Sequence, residues 1–337
     1  MIGRMVSSLL VLLALPFAVA GIVLALGAVA SLIIGLRVGS LYPPAGPFVE
    51  VPGGRLATMQ AGPADGPPVV LLHGASANSA DPMGGVGHLL AARGFRVIAF
   101  DRPGFGWSDR PGGAADADPA AQARLIADAL AGMRVGPAVV LGHSWAGALA
   151  LALALDHPER VSGLVLAAPV GMPLPGPVSL PWYWRLALKP PVLWLLSRTV
   201  GPPVAMVYLA EAARRVFKPE EPVPGYLETA RAPLVMRPGT LLANVQDLVG
   251  LPQGLAALSP RYGGLHLPVT IVSGAADPIV RPDLQAVPLS RAIPGARLVL
   301  LPGVGHMLHY TAPEAVAGAV SDVEAAVRAG AVPASAP

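Results

Sequence analysis

The sequence of 337 residues contains no cysteine, only 13% charged residues and just two lysines, Lys189 and Lys218. The missing cysteine excludes disulfides, thiolate metal sites and a cysteine nucleophile, and it is compatible with any cellular compartment. The formal net charge is only +3 and no run of Lys or Arg occurs, so we expect no nucleic-acid partner. Hydrophobic residues make up 53% of the chain, a share that excludes intrinsic disorder.

The chain also lacks the short motifs that hold phosphates or metals. Gly84-Gly85-Val86-Gly87 has no Walker lysine and follows no strand directly. No cluster of His, Asp and Glu has metal-ligand spacing along the sequence. We therefore expect neither a cofactor nor a bound metal ion. The oligomeric state cannot be read from the sequence.

One long apolar stretch lies at the N terminus. From Val6 to Leu36 there are 31 residues without a charge, and about 20 suffice for a transmembrane helix. A cleaved secretory signal has a shorter apolar region of about 7–15 residues, although Ala18-Val19-Ala20 resembles a cleavage site. We expect residues 1–40 to be a permanent single-pass anchor, with a cleaved signal as the alternative. The short positive start resembles a signal anchor, which places the rest of the chain on the periplasmic side of a bacterial inner membrane.

Apolar strands alternate with helical segments over most of the remaining chain. Strands are predicted over residues 48–51, 55–60, 69–72, 96–100, 139–141, 161–167, 268–274 and 297–301. Such alternation predicts an α/β fold with a mostly parallel sheet and helices on both faces. The alternation stops between residues 171 and 264, where prolines and three tryptophans accompany broken helical patterns. We interpret 171–264 as a helical cap inserted between the core segments 41–170 and 265–330, followed by a disordered tail at 331–337.

The stretch Gly142-His143-Ser144-Trp145-Ala146 joins a predicted strand to a segment of strong helix formers. A serine at the tip of such a turn is the context of a nucleophile elbow. The turn needs very small residues two before and two after the serine. Gly142 meets this need, and Ala146 replaces the usual second glycine with the next smallest residue. The alternative is an ordinary strand-to-helix turn with an incidental serine.

A serine hydroxyl needs a base to take its proton and a carboxylate to orient that base. His306 follows the predicted strand 297–301 through a glycine turn, and His309 is its rival as the base. Asp277 follows the strand 268–274 and is the candidate acid, although it could simply cap a turn before Pro278. The backbone N–H groups of Ala75 and Trp145 are the expected donors to a developing oxyanion.

These segments occur in an order that resembles the α/β-hydrolase superfamily, in its branch with a helical cap. The matching pieces are His73-Gly74, Asp101-Arg102-Pro103-Gly104-Phe105-Gly106-Trp107-Ser108, Gly142-His143-Ser144-Trp145-Ala146-Gly147, Gly274-Ala275-Ala276-Asp277 and Gly305-His306. The resemblance covers about residues 48 to 328 and implies the α/β-hydrolase fold with a Ser144–Asp277–His306 catalytic triad. It implies no catalytic role for the Asp101–Ser108 segment.

Together with the apolar N terminus, the resemblance predicts a membrane-anchored serine hydrolase that acts on a carboxylic ester or a lipid-like acyl substrate. Relatives that open epoxides or displace halide resemble cases with an aspartate nucleophile, so Ser144 argues against both reactions. Carbon–carbon bond hydrolases and cofactor-free perhydrolases remain alternatives, because they use the same triad. The alternative of another class is a non-catalytic, membrane-tethered binding protein.

Overall fold

The computed structural model describes residues 2–174, 176 and 181–330, with side chains from Ala14 onward. The tail predicted for 331–337 lies outside these residues. The described chain forms an eight-stranded sheet in the order β1-β2-β4-β3-β5-β6-β7-β8. Its strands are β1 Phe48–Val51, β2 Gly54–Ala61, β3 Pro68–Leu72, β4 Arg96–Phe100, β5 Ala138–His143, β6 Val161–Ala167, β7 Val269–Gly274 and β8 Arg297–Leu301.

The sheet is parallel except at one edge. β1 and β2 form an antiparallel hairpin, and β2 pairs antiparallel with β4. The pairs β4–β3, β3–β5, β5–β6, β6–β7 and β7–β8 are all parallel. The predicted hairpin and mostly parallel sheet are thereby confirmed.

Both faces of the sheet are buried, which explains why its central strands are continuous apolar runs. In β3, Val70 and Leu72 belong to the core cluster on one face, whereas Val69 and Leu71 belong to the cluster on the other. Alternate residues of a strand point to opposite faces. A strand with helices on both sides therefore needs apolar residues at every position.

Helices cover the two faces and build the segment between β6 and β7. They are α1 Ile2–Leu41, α2 Ala80–Pro82, α3 His88–Ala92, α4 Pro119–Gly132, α5 Ala146–Asp156, α6 Trp182–Ala187, α7 Pro190–Arg198, α8 Gly201–Phe217, α9 Tyr226–Thr229, α10 Pro238–Leu258, α11 Ala286–Ala292, α12 Leu308–Thr311 and α13 Pro313–Arg328. A π-helix spans Met83–Gly87, and 3₁₀-helices span Gly113–Ala117, Pro158–Arg160, Ala232–Met236 and Ser259–Gly264. Helices α6 to α10 all fall within the predicted cap, whose boundaries at 171 and 264 stay a prediction.

Helix α1 has two halves with different surroundings. Its part from Ala14 to Leu41 is long and apolar enough to cross a membrane. Ile34 and Val38 are nevertheless buried against Leu234, Val235 and Met236 of the cap. One face of the second half of α1 is thus packed on the folded domain, while its other face and the large side chains described in the first half are exposed.

Candidate functional site

Ser144 lies on a strained turn between β5 and α5. Its φ of +54° is in the left-handed region, which side chains other than glycine rarely adopt. A Cβ on Gly142 would lie 2.4 Å from the carbonyl oxygen of Ala146, so the strand and the helix approach too closely for any side chain there. Ala146 itself is fully buried as the first residue of α5. The turn therefore forms with alanine in place of the second glycine.

The structure brings Ser144, His306 and Asp277 together from three different loops at the carboxyl ends of β5, β8 and β7. His306 Nε2 lies 3.0 Å from Ser144 Oγ, and His306 Nδ1 lies 2.7 Å from Asp277 Oδ2. Both separations are hydrogen-bond distances. Since parallel strands end at one edge of the sheet, loops distant in sequence meet there.

Asp277 also organises its own loop. Its Oδ1 accepts hydrogen bonds from the backbone N–H of Ile279 at 2.7 Å and of Val280 at 2.9 Å. The carboxylate therefore caps this turn and contacts His306 at the same time, so the two interpretations of Asp277 are compatible. With both oxygens engaged, its orientation toward His306 is held firmly.

The loop after β3 lies directly beside the serine. A Cβ on Gly74 would lie 3.1 Å from Ser144 Cβ, so glycine allows this close approach. Among the described residues, no acceptor is hydrogen-bonded to the N–H of Ala75 or of Trp145. These are the two groups expected to face an oxyanion, and that role stays a prediction.

A cap residue that the sequence analysis missed holds the same loop. Asn244 of α10 accepts a hydrogen bond from the Ser76 N–H at 2.7 Å and donates one to Ser76 Oγ at 3.0 Å. Asn244 and Asp247 stand three residues apart on one face of α10, and both are buried. This spacing is the sequence signal that could have identified Asn244, although it does not identify Ser76 as its partner.

Asp247 forms a buried ionic network with Arg102, which belongs to the Asp101–Ser108 segment, and with Arg110. Arg102 Nη1 lies 2.6 Å from Asp247, both side chains are fully buried, and Arg110 reaches the other carboxylate oxygen at 2.8 Å. The Arg102 guanidinium stacks between the rings of Phe105 and Trp145. Burial lowers the pKa of Arg102 to about 10, and Asp247 opposes that shift. Because Arg102 also donates to the carbonyl groups of His73 and Gly74, this network supports the loop beside Ser144.

Behind the triad lies a second polar cluster. His309, the rival base, is fully buried and its Nε2 lies 3.1 Å from Asp81 Oδ2. His143 packs between the rings of His306 and His309, and its Nε2 lies 3.1 Å from the carbonyl oxygen of His306. Burial lowers the pKa of His143 well below its usual value, with His309 and His306 adding to the effect. We therefore assign His143 as a neutral imidazole that donates Nε2–H to the loop of His306.

The same cluster is relevant to the prediction that the protein binds no metal ion. Asp81, His143 and His309 each place one potential ligand atom within 4.8 Å of the others. No local sequence pattern predicts this grouping, because the three residues are far apart along the chain. Since Asp81 and His309 are already hydrogen-bonded to one another, we interpret the trio as a polar network.

The cap closes over the loop that carries His306. The Gly305 N–H donates to the Glu220 carboxylate at 3.0 Å, and a Cβ on Gly305 would lie 2.1 Å from the Lys218 carbonyl oxygen.

Beside Ser144 and His306 a cavity opens beneath helix α8. Its α8 wall is formed by Leu209, Ala212, Ala213 and Val216.

Most of the chain is similar to a known protein family. The sequence profile of the family described as alpha/beta hydrolase fold matches residues 67–313. An uncharacterized protein of Mycobacterium tuberculosis is 31% identical over 287 residues, which covers 82% of this chain and 80% of that protein.

Several solved structures share the fold of this chain. An esterase (EaEST) from Exiguobacterium antarcticum superposes with a TM-score of 0.65 at 24% identity, covering 83% of this chain and 99% of that one. A membrane phospholipase A, described as a bacterial virulence factor, superposes with a TM-score of 0.65 at 22% identity. That match covers 97% of this chain and 99% of the phospholipase chain.

Proposed function

Since the chain belongs to the α/β-hydrolase fold family, and is therefore a hydrolase, we propose that it is a membrane-anchored serine hydrolase. Its substrate is a carboxylic ester or related acyl compound, cleaved through an acyl-enzyme intermediate. The observation that carries the proposal is the continuous hydrogen-bond chain from Ser144 Oγ through His306 to Asp277. A serine becomes a competent nucleophile when such a base can remove its proton.

In the proposed reaction, Ser144 Oγ attacks the acyl carbonyl carbon while His306 Nε2 takes the hydroxyl proton. Asp277 accepts a hydrogen bond from Nδ1–H and stabilises the imidazolium. His306 then returns the proton to the departing alcohol as the ester bond breaks. Water then attacks the acyl carbon while His306 takes its proton. The bond between the acyl carbon and Ser144 Oγ breaks, His306 returns the proton to Oγ, and the acid leaves.

The negative oxygen of the tetrahedral intermediate requires fixed donors. The N–H groups of Ala75 and Trp145 are suited to this role, because both border Ser144 and neither donates to another described group. A preorganised donor of this kind contributes about 10²–10³ in kcat. The Asn244–Ser76 hydrogen bonds support the position of the Ala75 loop.

Membrane anchoring rests on α1, which carries no charge from Val6 to Leu36 and has the length and apolar composition of a membrane span. The fold resembles that of a membrane phospholipase A over 97% of this chain, a coverage that extends well beyond the hydrolase core. A cleaved signal remains the rival interpretation of an apolar N-terminal helix. We propose that α1 is retained, with the hydrolase domain on the periplasmic side.

A fluorophosphonate probe tests the chemistry, together with p-nitrophenyl esters of increasing chain length. We expect a covalent adduct on Ser144, identified by mass spectrometry, and hydrolysis of at least some esters. Ser144→Ala should lose both labelling and turnover while keeping the unfolding transition of the native chain.

Three outcomes would contradict the proposal. An adduct on another serine would refute the assigned nucleophile. Labelling without hydrolysis of any ester would favour the carbon–carbon bond hydrolase or perhydrolase alternative. Neither labelling nor turnover would favour the non-catalytic binding protein.

A further inference from the structure

The packed half of α1 meets the cap at the junction between α7 and α8. Ser31 is buried and its hydroxyl donates to the Thr199 carbonyl oxygen. A Cβ on Gly27 would lie 3.1 Å from the Thr199 carbonyl carbon. The α7–α8 junction therefore contacts α1 at Gly27 and Ser31, which marks the level at which the helix leaves the folded domain.

The length of the remaining helix fits a bilayer. From Ile2 to Leu26, α1 is about 37 Å long at a rise of 1.5 Å per residue. The hydrocarbon core of a bilayer is about 30 Å thick. When this part of α1 spans the membrane, the membrane surface therefore lies near Gly27, at the level of the α7–α8 junction.

Around this junction the cap exposes large apolar side chains. Ten of them lie on α6, α7 and α8, among them Trp182, Trp184, Trp194, Val204, Val207 and Tyr208. The exposed fraction reaches 74% for Trp182 and 73% for Val207. Isolated exposed apolar groups are ordinary, but a contiguous group indicates a binding surface. We call these six residues the apolar cap surface.

The chain segment that carries most of this surface is basic. No Asp or Glu occurs between Val161 and Ala210, whereas Arg185, Lys189 and Arg198 lie on or beside α6 and α7. Arg198 also stacks on the Trp194 ring at 4.4 Å. Glu211, one turn beyond Val207 on α8, is ion-paired with Arg214. Tryptophan and tyrosine are favoured at membrane interfaces, and basic groups are attracted to anionic lipid headgroups. This composition fits a lipid surface that is continuous with the membrane span.

Helix α8 connects the apolar cap surface with the proposed active site. Val204 and Val207 face outward, whereas Leu209, Ala213 and Val216 line the cavity beside Ser144. One helix therefore separates the bilayer level from the site. The wall that α8 presents to an acyl chain in this cavity is apolar.

We propose that the apolar cap surface lies in the membrane interface, and that the substrate is the acyl ester of a bilayer lipid taken directly from the leaflet. The substrate part of this inference rests on the proposed serine hydrolase function. The surface part does not, because it depends only on α1 and on the outer side of α6 to α8.

The surface is tested by fluorescence of the full-length chain in vesicles of phosphatidylcholine and phosphatidylglycerol brominated in their acyl chains. Bromine quenches tryptophans that reach the lipid, so the native chain should be quenched. A variant with Trp182, Trp184 and Trp194 each changed to Phe should lose this quenching, because its remaining tryptophans, Trp107 and Trp145, contact protein. Equal quenching in both chains, or none in the native chain, would overturn the proposal. So would fluorescence that depends on protein concentration but not on bromine, since a second copy would then cover the surface.

The substrate class is tested with Val207→Lys, which puts a charge into the apolar cap surface outside the cavity. We expect hydrolysis of phosphatidylglycerol in vesicles to fall about tenfold or more, while hydrolysis of soluble p-nitrophenyl butyrate stays unchanged. Leu300→Lys is the matched control, because Leu300 is exposed on β8 and should affect neither substrate. Equal lipid hydrolysis by native and Val207→Lys chains would refute the inference. A native chain that hydrolyses p-nitrophenyl butyrate but not phosphatidylglycerol would also refute the inference. A native chain that hydrolyses neither substrate would instead contradict the serine hydrolase proposal.

Discussion

Asn244 and Ser76, 168 positions apart in the chain, exchange two hydrogen bonds between helix α10 and the loop beside Ser144. The Ser76 backbone has a positive φ of 59°, a conformation that a serine rarely adopts without support. Asn244 supplies that support from the cap. The cap therefore contributes to the geometry of the loop that carries Ala75, in addition to covering the cavity.

Replacing Asn244 should lower turnover without unfolding the protein. We expect Asn244→Leu to reduce kcat about tenfold, less than the roughly 10²–10³-fold loss from removing an oxyanion donor, because the Ala75 N–H remains. KM should change little, since Asn244 does not line the cavity beside Ser144. Asn244→Asp keeps an acceptor for the Ser76 N–H and should recover part of kcat. Equal kcat in the Leu and Asp variants would show that this hydrogen bond does not position the loop.

The two candidate histidines should behave differently. His306→Ala should be as severe as Ser144→Ala, because the two residues act as a unit, and Asp277→Asn should lose about 10⁴-fold in kcat. His309→Gln should keep fluorophosphonate labelling of Ser144, since His309 is hydrogen-bonded to Asp81 and not to the serine. Retained activity in His306→Ala with loss in His309→Gln would make His309 the base.

Breaking the buried ion pair should destabilise the fold. Asp247→Asn leaves the buried Arg102 guanidinium without its charged partner, and losses of about 3–5 kcal/mol are typical of such changes. Urea unfolding followed by tryptophan fluorescence in a nonionic detergent measures the free energy of unfolding. Asp322→Asn is the matched control, because its ion pair with Arg297 is exposed and should contribute nothing measurable. A similar loss in both variants would contradict the assigned role of Asp247.

Acidification should destabilise the protein through two buried histidines. Burial lowers the pKa of His73, with Arg102 adding to the effect, and burial also lowers the pKa of His143. In the unfolded chain both protonate below about pH 6.5. The unfolded state then binds more protons than the folded state, so the free energy of unfolding falls as the pH drops below about 6.5.

The expected slope is about 1.4 kcal/mol per pH unit for each imidazole. Urea unfolding between pH 5 and pH 7 measures it. His143→Asn should remove one titrating group and lower the slope, whereas His266→Asn changes an exposed residue and should leave it as it is. An unchanged slope in His143→Asn would contradict the neutral assignment of His143.

The N-terminal helix should keep the chain in the membrane. We expect the full-length protein in the membrane pellet after carbonate extraction, because about 20 apolar residues suffice to span a bilayer. Protease added to spheroplasts should degrade the hydrolase domain when it lies on the periplasmic side. A soluble form that begins near Gly21 would show instead that the segment is a cleaved signal, and full protection from protease would reverse the orientation.

Local signals in the sequence determined much of the architecture. Continuous apolar runs predicted the buried strands β3, β5, β6 and β7, because a strand covered on both faces needs apolar residues throughout. The helix formers after Ser144 and the small residues around it predicted the turn that the structure forms. The fold class and the family followed from these elements and their order. Ser144, His306 and Asp277 could be proposed as neighbours because each follows a strand of one parallel sheet.

Only the tertiary structure decided which cap residues meet the site and which face outward. Asn244, Asp247 and Glu220 contact core loops more than 80 residues away in sequence, and no local pattern specifies such partners. Some side chains of α8 line the cavity and others belong to the apolar cap surface. Which side chains face each way depends on how α8 packs against α1. Side-chain burial is a property of the assembled elements, so the sequence predicts the elements, and their packing determines what each face contacts.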